Sequence, residues 1–187
     1  MKIICAILLA LLSINRDAPD LYASKNARIS IFSHALIEDI RAVSQTGISV
    51  YNPATGELNF SLPISSLQFA KAFMQQHFNS DYMESDKYPR AIFKGKVQEH
   101  IDLTKDGSYP VNVTGELTVH GITKTRTVQG SISIKNGTIS MVSEFIVQCS
   151  DHHIDIPQIL FYHIAENIKV NVSATYNLYT NTPNKTL

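Results

Sequence analysis

The chain has 187 residues, which is enough for one domain with a full hydrophobic core. Its 16 Lys and Arg residues balance 16 Asp and Glu residues, so no charge excess would attract nucleic acid or an anionic lipid surface. Gly and Pro are too scarce for a linker or a repeat array, and no internal period is present. Composition therefore favours a single globular domain with no nucleic-acid partner.

The N-terminal segment has the pattern of an export signal. Lys2 precedes an apolar run over Ile3–Leu12, which is shorter than the roughly 20 residues that span a bilayer. We therefore predict a signal peptide over residues 1–23 and no transmembrane segment, with a buried N-terminal strand as the alternative. Cleavage would leave Cys149 as the only thiol, so the exported protein would depend on its core and not on a disulfide.

The first third of the chain contains short strand patterns separated by turn chemistry. Apolar residues alternate over Ala27–Ser33, again over residues 48–51, and after an Asn-Pro turn over residues 58–64. Pro63 has no amide proton, so we expect it at a strand end or at a sheet edge.

The apolar period changes from two to between three and four after Ser66. Phe69 and Phe73 lie four residues apart among good helix formers, which predicts one short amphipathic helix over Leu67–Tyr82. The helix is too short for a coiled coil. We expect its apolar side to cover an open edge or mouth of the sheet, with Phe73 at the border.

The longest strand pattern lies over Val111–Lys135. It folds back at His120-Gly121, where glycine can adopt the positive φ of a tight turn. Asn136-Gly137 predicts the next hairpin, and residues 168–177 alternate without interruption. Residues 180–187 form a polar C-terminal tail.

These elements predict an all-β domain over residues 24–179. About eight antiparallel strands joined mostly by hairpins can close into a barrel, which removes the exposed edges. The interior of such a barrel holds either side chains or one small apolar ligand. The alternation by itself leaves a filled core and a ligand cavity both open.

Three segments carry distinctive motifs, namely His77–Phe93 with its Lys-Tyr-Pro sequence, the hairpin Gly115–Lys124, and Ser150-Asp151 followed by Ile154. In order and spacing these segments resemble motifs of the YceI-like family. The resemblance implies an eight-stranded antiparallel lipocalin-like barrel, exported to the periplasm, that encloses a long apolar chain such as a polyisoprenoid. It departs in the first third, where this chain lacks an early Trp.

On this basis we predict a set of apolar residues that line the barrel and bind the ligand. The small residues Gly95, Gly115, Gly130 and Ala174 on the same faces are expected to leave room for it. The predicted lining residues are Ile29, Ile31, Phe60, Phe73, Phe93, Leu117, Val119, Phe145, Val170 and Val172.

A metal-dependent enzyme is the competing hypothesis. Two His residues and a carboxylate could bind Zn²⁺, and such residues cluster between positions 151 and 163. Adjacent His residues on an extended chain point in opposite directions, however, and no metalloprotease motif accompanies them. We therefore predict no metal, no cofactor and no catalysis. The candidate ligands would be Asp151, His152, His153, Asp155 and His163.

The sequence therefore predicts a non-catalytic periplasmic lipid-binding protein for carriage, storage or sequestration. A barrel with a filled interior and a structural or partner-binding role is the second alternative. The sequence does not indicate an oligomeric state or the head group of the lipid.

Overall fold

The structure is a computed structural model that describes residues 20–34, 39–156 and 166–179. Residues 1–19 of the predicted export signal, His163 and the predicted tail lie outside the described residues. The first strand begins at Leu21, so residues 21–23 belong to a barrel strand, although the predicted domain boundary left them outside.

The described residues form a closed eight-stranded antiparallel barrel, which confirms the predicted fold class. The strands are β1 (Leu21–Ser33), β2 (Ile40–Tyr51), β3 (Glu57–Pro63), β4 (Gln68–Phe69), β5 (Arg90–Val97), β6 (Gly107–Val119), β7 (Ile122–Lys135), β8 (Thr138–Gln148) and β9 (Asn167–Tyr179). Around the ring the strands follow the order β1-β9-β8-β7-β6-β5-β3-β2, and β2 pairs with β1 to close it. The two-residue strand β4 lies outside this ring and pairs with β2 at Ala42 and Val43.

The helix is shorter than the predicted Leu67–Tyr82. The α-helix α1 covers Ala72–His77 and continues into a π-helical turn over Phe78–Tyr82. The start was wrong because the Gln75 side chain holds the preceding chain extended. Its Oε1 accepts from the Phe69 amide at 3.0 Å and its Nε2 donates to the Leu67 carbonyl at 2.8 Å. Pro63 ends β3, as predicted.

One end of the barrel is closed by packed side chains. Tyr51, Ile132 and Ile139 are each 1% exposed there. The Tyr176 hydroxyl lies 2.7 Å from the Ser49 hydroxyl, which satisfies both groups away from water. Burial raises the pKa of Tyr176 to about 12. This closed end is a filled core, whereas the opposite end carries α1.

The tight turns follow the predicted chemistry. His120 and Gly121 have φ of 50° and 74°, and Asn136 and Gly137 have the same values, as a two-residue hairpin turn with both central residues left-handed requires. The first turn joins β6 to β7 and the second joins β7 to β8. Both hairpins therefore keep the register that places their alternate residues inside the barrel.

Candidate functional site

The barrel encloses a cavity of about 780 Å³ between the closed end and α1. Aliphatic and aromatic side chains supply most of its wall, from Tyr176 near the closed end to Met74 and Phe78 beneath the helix. The interior is therefore neither a filled core nor a polar channel. A cavity of this volume with an apolar wall suits a small or chain-like apolar ligand.

All of the predicted lining residues border this cavity. The register explains why, since Phe60, Phe93 and Leu117 lie side by side on β3, β5 and β6. Ile29 and Val172 are likewise direct neighbours on β1 and β9. That these side chains contact a lipid stays a prediction. The residues concerned are Ile29, Ile31, Phe60, Phe73, Phe93, Leu117, Val119, Phe145, Val170 and Val172.

Phe73 differs from the others because it lies at the rim. Its side chain is 72% exposed, and its ring centroid is 4.1 Å from that of His77 one turn later. Phe78 faces the barrel and packs on Phe69 with ring centroids 4.8 Å apart. The helix thus covers one mouth of the cavity, with an aromatic pair beneath it and Phe73 at its outer border.

Several cavity residues were not predicted. Leu58, Leu62 and Val113 carry the same alternation as their neighbours and could have been found by extending it along each strand. Gln129 and Val142 could not, because alternation places them on the outer face. They border the cavity because β7 and β8 separate beside them.

The small residues have two different roles. Gly130 and Ala174 border the cavity, as expected. Gly95 and Gly115 do not leave room for a ligand, and that part of the prediction was wrong. A Cβ on Gly115 would lie 2.3 Å from the Gly95 Cα and 2.3 Å from the Lys94 carbonyl oxygen, so these paired glycines allow β5 and β6 to approach closely.

A polar network ties three segments together at the mouth. His120 Nε2 lies 2.8 Å from Glu84 Oε2, and its Nδ1 lies 3.2 Å from the His152 carbonyl oxygen. The Tyr88 ring packs edge-on against His120 with centroids 4.6 Å apart. The chain after the helix, the β6–β7 turn and the turn at residues 150–152 are thereby joined. These are the segments whose sequences resemble the family motifs.

Within residues 151–156, which the structure describes, the His and Asp side chains do not assemble into a metal centre. His152 is 1% exposed and its Nδ1 lies 3.0 Å from the Ile122 carbonyl oxygen, while desolvation by burial lowers its pKa. His153 is on the surface with a left-handed backbone. Across the ranges the structure describes, no group of three or more His, Cys, Asp or Glu residues could hold a metal ion.

The thiol of Cys149 lies near the same end of the barrel. Cys149 is buried against the cavity, and desolvation raises the pKa of its thiol to about 11, so it is a poor nucleophile.

Among the described residues, none of the helices has both the length and the apolar character to cross a membrane.

The barrel is similar to solved structures of other proteins. The barrel is similar to a polyisoprenoid binding domain from Saccharophagus degradans implicated in plant cell wall breakdown, with a TM-score of 0.73 and 12% identity over 84% of this chain and 98% of that one. It is also similar to BcnA of Burkholderia cenocepacia, with a TM-score of 0.67 and 15% identity over 81% and 96% of the two chains. These likenesses show a shared fold.

The sequence comparisons are more specific. Protein YceI of Shigella flexneri is 30% identical over 82 residues, a stretch that spans 43% of this chain and only 40% of that relative. The YceI-like domain matches residues 22–176, which include all the barrel strands apart from the outermost residues of β1 and β9. A match of that extent, with the barrel and its mouth network in place, shows that the chain belongs to the YceI-like domain family.

Proposed function

We propose that the protein binds one long apolar chain, of the polyisoprenoid type, inside its barrel. The observation that carries the proposal is the cavity of about 780 Å³ with its largely aliphatic and aromatic wall. The description of the Saccharophagus degradans neighbour as a polyisoprenoid binding domain supports the same ligand class. We further propose that the protein is exported to the periplasm, where it carries, stores or sequesters the lipid without catalysing a reaction.

The volume of the cavity sets the length of chain that it can hold. A cavity of about 150 Å³ binds one benzene, which corresponds to about 25 Å³ for each carbon atom. At that ratio this cavity holds roughly 30 carbon atoms, or roughly six isoprene units. A longer chain would extend beyond the barrel.

Burial of so many carbon atoms gives more than enough free energy for tight binding. Each buried CH₂ contributes about 0.8 kcal/mol, so burial of about ten such groups already matches the roughly 8 kcal/mol of a micromolar complex. Ordering of the flexible chain offsets much of the remainder. Apolar burial therefore suffices for the proposed binding, and no hydrogen bond is required.

The first experiment identifies the ligand directly. The freshly purified protein is extracted with organic solvent, and the extract is analysed by mass spectrometry beside an identically treated unrelated periplasmic protein. We expect a co-purifying single-chain lipid. Metal analysis of the same preparation tests the competing enzyme hypothesis, because one zinc ion per chain would support that hypothesis instead.

The second experiment measures chain length against affinity in delipidated protein. Prenyl alcohols from about two to about eight isoprene units should bind more tightly with each unit up to roughly six and then reach a plateau. If the delipidated protein binds none of these prenyl alcohols, and the organic extracts contain no lipid, the proposed function is ruled out. Fractionation of cells that express the full chain or a variant lacking residues 1–19 tests export.

A further inference from the structure

We propose that Arg126 binds the acidic head group of the ligand, a phosphate or a carboxylate, at an opening in the barrel wall between β7 and β8. This inference rests on the proposed function, since the apolar chain attached to that head group would occupy the cavity. The proposed contact adds recognition of a polar head group to a cavity that otherwise selects a ligand only by the length of its apolar chain.

The opening follows from the strand pairing. The β7–β8 ladder ends at Gly130 and Ser143, although β7 begins eight residues earlier, at Ile122, and β8 continues to Gln148. A Cβ on Gly130 would lie 2.7 Å from the Val142 carbonyl oxygen, so glycine is needed where the strands begin to diverge. Beyond this point these two strands share no ladder bonds.

The cavity reaches into this gap. Gln129, Ser131 and Val142 belong to the outer faces of β7 and β8 by alternation, yet they border the cavity together with Gly130 and Ser143. The Ser143 hydroxyl donates to the Gln129 carbonyl at 2.6 Å, which satisfies a strand carbonyl that has lost its ladder partner. The wall is thus open to the interior here and is bordered by polar groups.

Arg126 lies at this gap on the inward-facing side of β7. Its parity matches that of Val128, and its partner across the β6–β7 ladder is Gly115. The guanidinium reaches across the gap, where Nη2 donates to the Ile146 carbonyl on β8 at 2.6 Å. Its Cζ also lies 5.3 Å from the ring centroid of Phe145, which borders the cavity.

The charge of this guanidinium has no acidic partner in the described part of the chain. Its Nε is buried without a hydrogen-bond acceptor, and the contacts it makes are to a neutral carbonyl and an aromatic ring. A partly buried cation without a counter-charge is costly, and an oxyanion relieves that cost. The guanidinium fork can also donate two parallel hydrogen bonds to the oxygen atoms of a phosphate or carboxylate, which makes Arg126 a specific donor to such a head group.

The opposite mouth offers a less suitable position for a head group. His77, which borders the cavity there, already pairs with the Asp81 carboxylate, and that carboxylate would repel an acidic head group. Lys71 borders the same mouth and provides the direct comparison. The two candidate positions can therefore be separated by removing one cation at a time.

The test compares one chain with two head groups. Affinities for a prenyl alcohol and for the prenyl monophosphate of equal length are measured by fluorescence displacement in the wild type and in Arg126→Met. We expect the wild type to prefer the phosphate, and the phosphate-to-alcohol affinity ratio to fall at least tenfold in Arg126→Met. The wild-type preference should weaken as salt concentration rises.

Three further variants make the outcome decisive. Arg126→Lys keeps the charge but loses the planar fork, so it should fold normally and retain part of the preference. Lys135→Met, at the exposed far end of β7, should leave the ratio unchanged. The proposal is overturned if Arg126→Met lowers both affinities equally, as a purely structural role requires, or if Lys71→Met removes the preference instead. Normal alcohol binding without phosphate preference overturns this inference alone, whereas uptake of neither compound overturns the proposed function as well.

Discussion

A lysine placed on the cavity wall should convert lipid binding into a strongly pH-dependent process. Val172 is suitable because it borders the cavity midway along β9, between Ile29 of β1 and Ser143 of β8. Its sequence neighbour Ser173 is exposed on the outer face and provides a matched control. Val172→Lys and Ser173→Lys therefore add the same charge at adjacent positions on opposite sides of one strand.

The magnitude follows from the cost of neutralising the amine. A bound apolar chain would bury the new side chain, and deprotonation of a lysine of pKa about 10.4 at pH 7 costs about 4.6 kcal/mol. That cost corresponds to a loss of affinity of about two thousandfold, because about 1.4 kcal/mol corresponds to a factor of ten. Because the cost falls by about 1.4 kcal/mol for each pH unit, the lost affinity should return roughly tenfold per unit up to about pH 10.

Fluorescence titration with a neutral long-chain probe between pH 7 and pH 10 measures this effect. Ser173→Lys should bind like the wild type across the range, and urea unfolding should show that Val172→Lys loses only about 1–3 kcal/mol of stability. Wild-type affinity of Val172→Lys at pH 7, or an equal loss in Ser173→Lys, would show that the ligand does not occupy the barrel interior.

Three other predictions concern groups around the cavity. In a Cys5→Ser background, Cys149 should react with a disulfide reagent at pH 8 at least a hundredfold more slowly than in urea, because its pKa is about 11, and bound lipid should slow the reaction further. The pKa of Tyr176 is about 12 in the folded state and about 10 in the unfolded state, so the unfolded state loses its proton first as the pH rises. The free energy of unfolding should therefore fall by up to about 2.7 kcal/mol between pH 10 and pH 12. Urea midpoints at these pH values measure this fall, and Tyr176→Phe should flatten it. Gly115→Ala should cost about 1–3 kcal/mol in the same assay because its new Cβ would meet Gly95, whereas Thr114→Ala on the outer face should cost less.

The barrel could be predicted because apolar and polar residues alternate along its strands. On β6 and β9 one face meets the cavity and the other meets water, so the alternation is nearly complete. The helix start could not be predicted in the same way. Leu67, Phe69 and Phe73 have helical spacing, but the Gln75 side chain binds the backbone of the first two and holds it extended. A single side chain thus overrides a pattern that is locally correct.

The opening between β7 and β8 has no comparable signature in the sequence. The apolar alternation of β7 ends at Val128, because Arg126 at the next position of the same parity is charged, but a charged strand end is also compatible with an intact ladder. The glycines are equally ambiguous. Gly130 borders the cavity and Gly115 brings two backbones together, and the difference depends on which atoms lie across the sheet. The opening between the strands and the different roles of the two glycines depend on which segments are neighbours in the folded chain, so neither could be predicted from the sequence.

The mouth network indicates what the family-like motifs do in this chain. Both ring nitrogens of His120 are engaged, one with Glu84 and one with the His152 carbonyl oxygen, so the ring links the chain after the helix to the turn at residues 150–152. Gly121 is required next to it because a Cβ there would lie 2.6 Å from the Tyr88 ring. The motif residues therefore position the helix end over the barrel, and a separate, mostly apolar set of side chains lines the cavity.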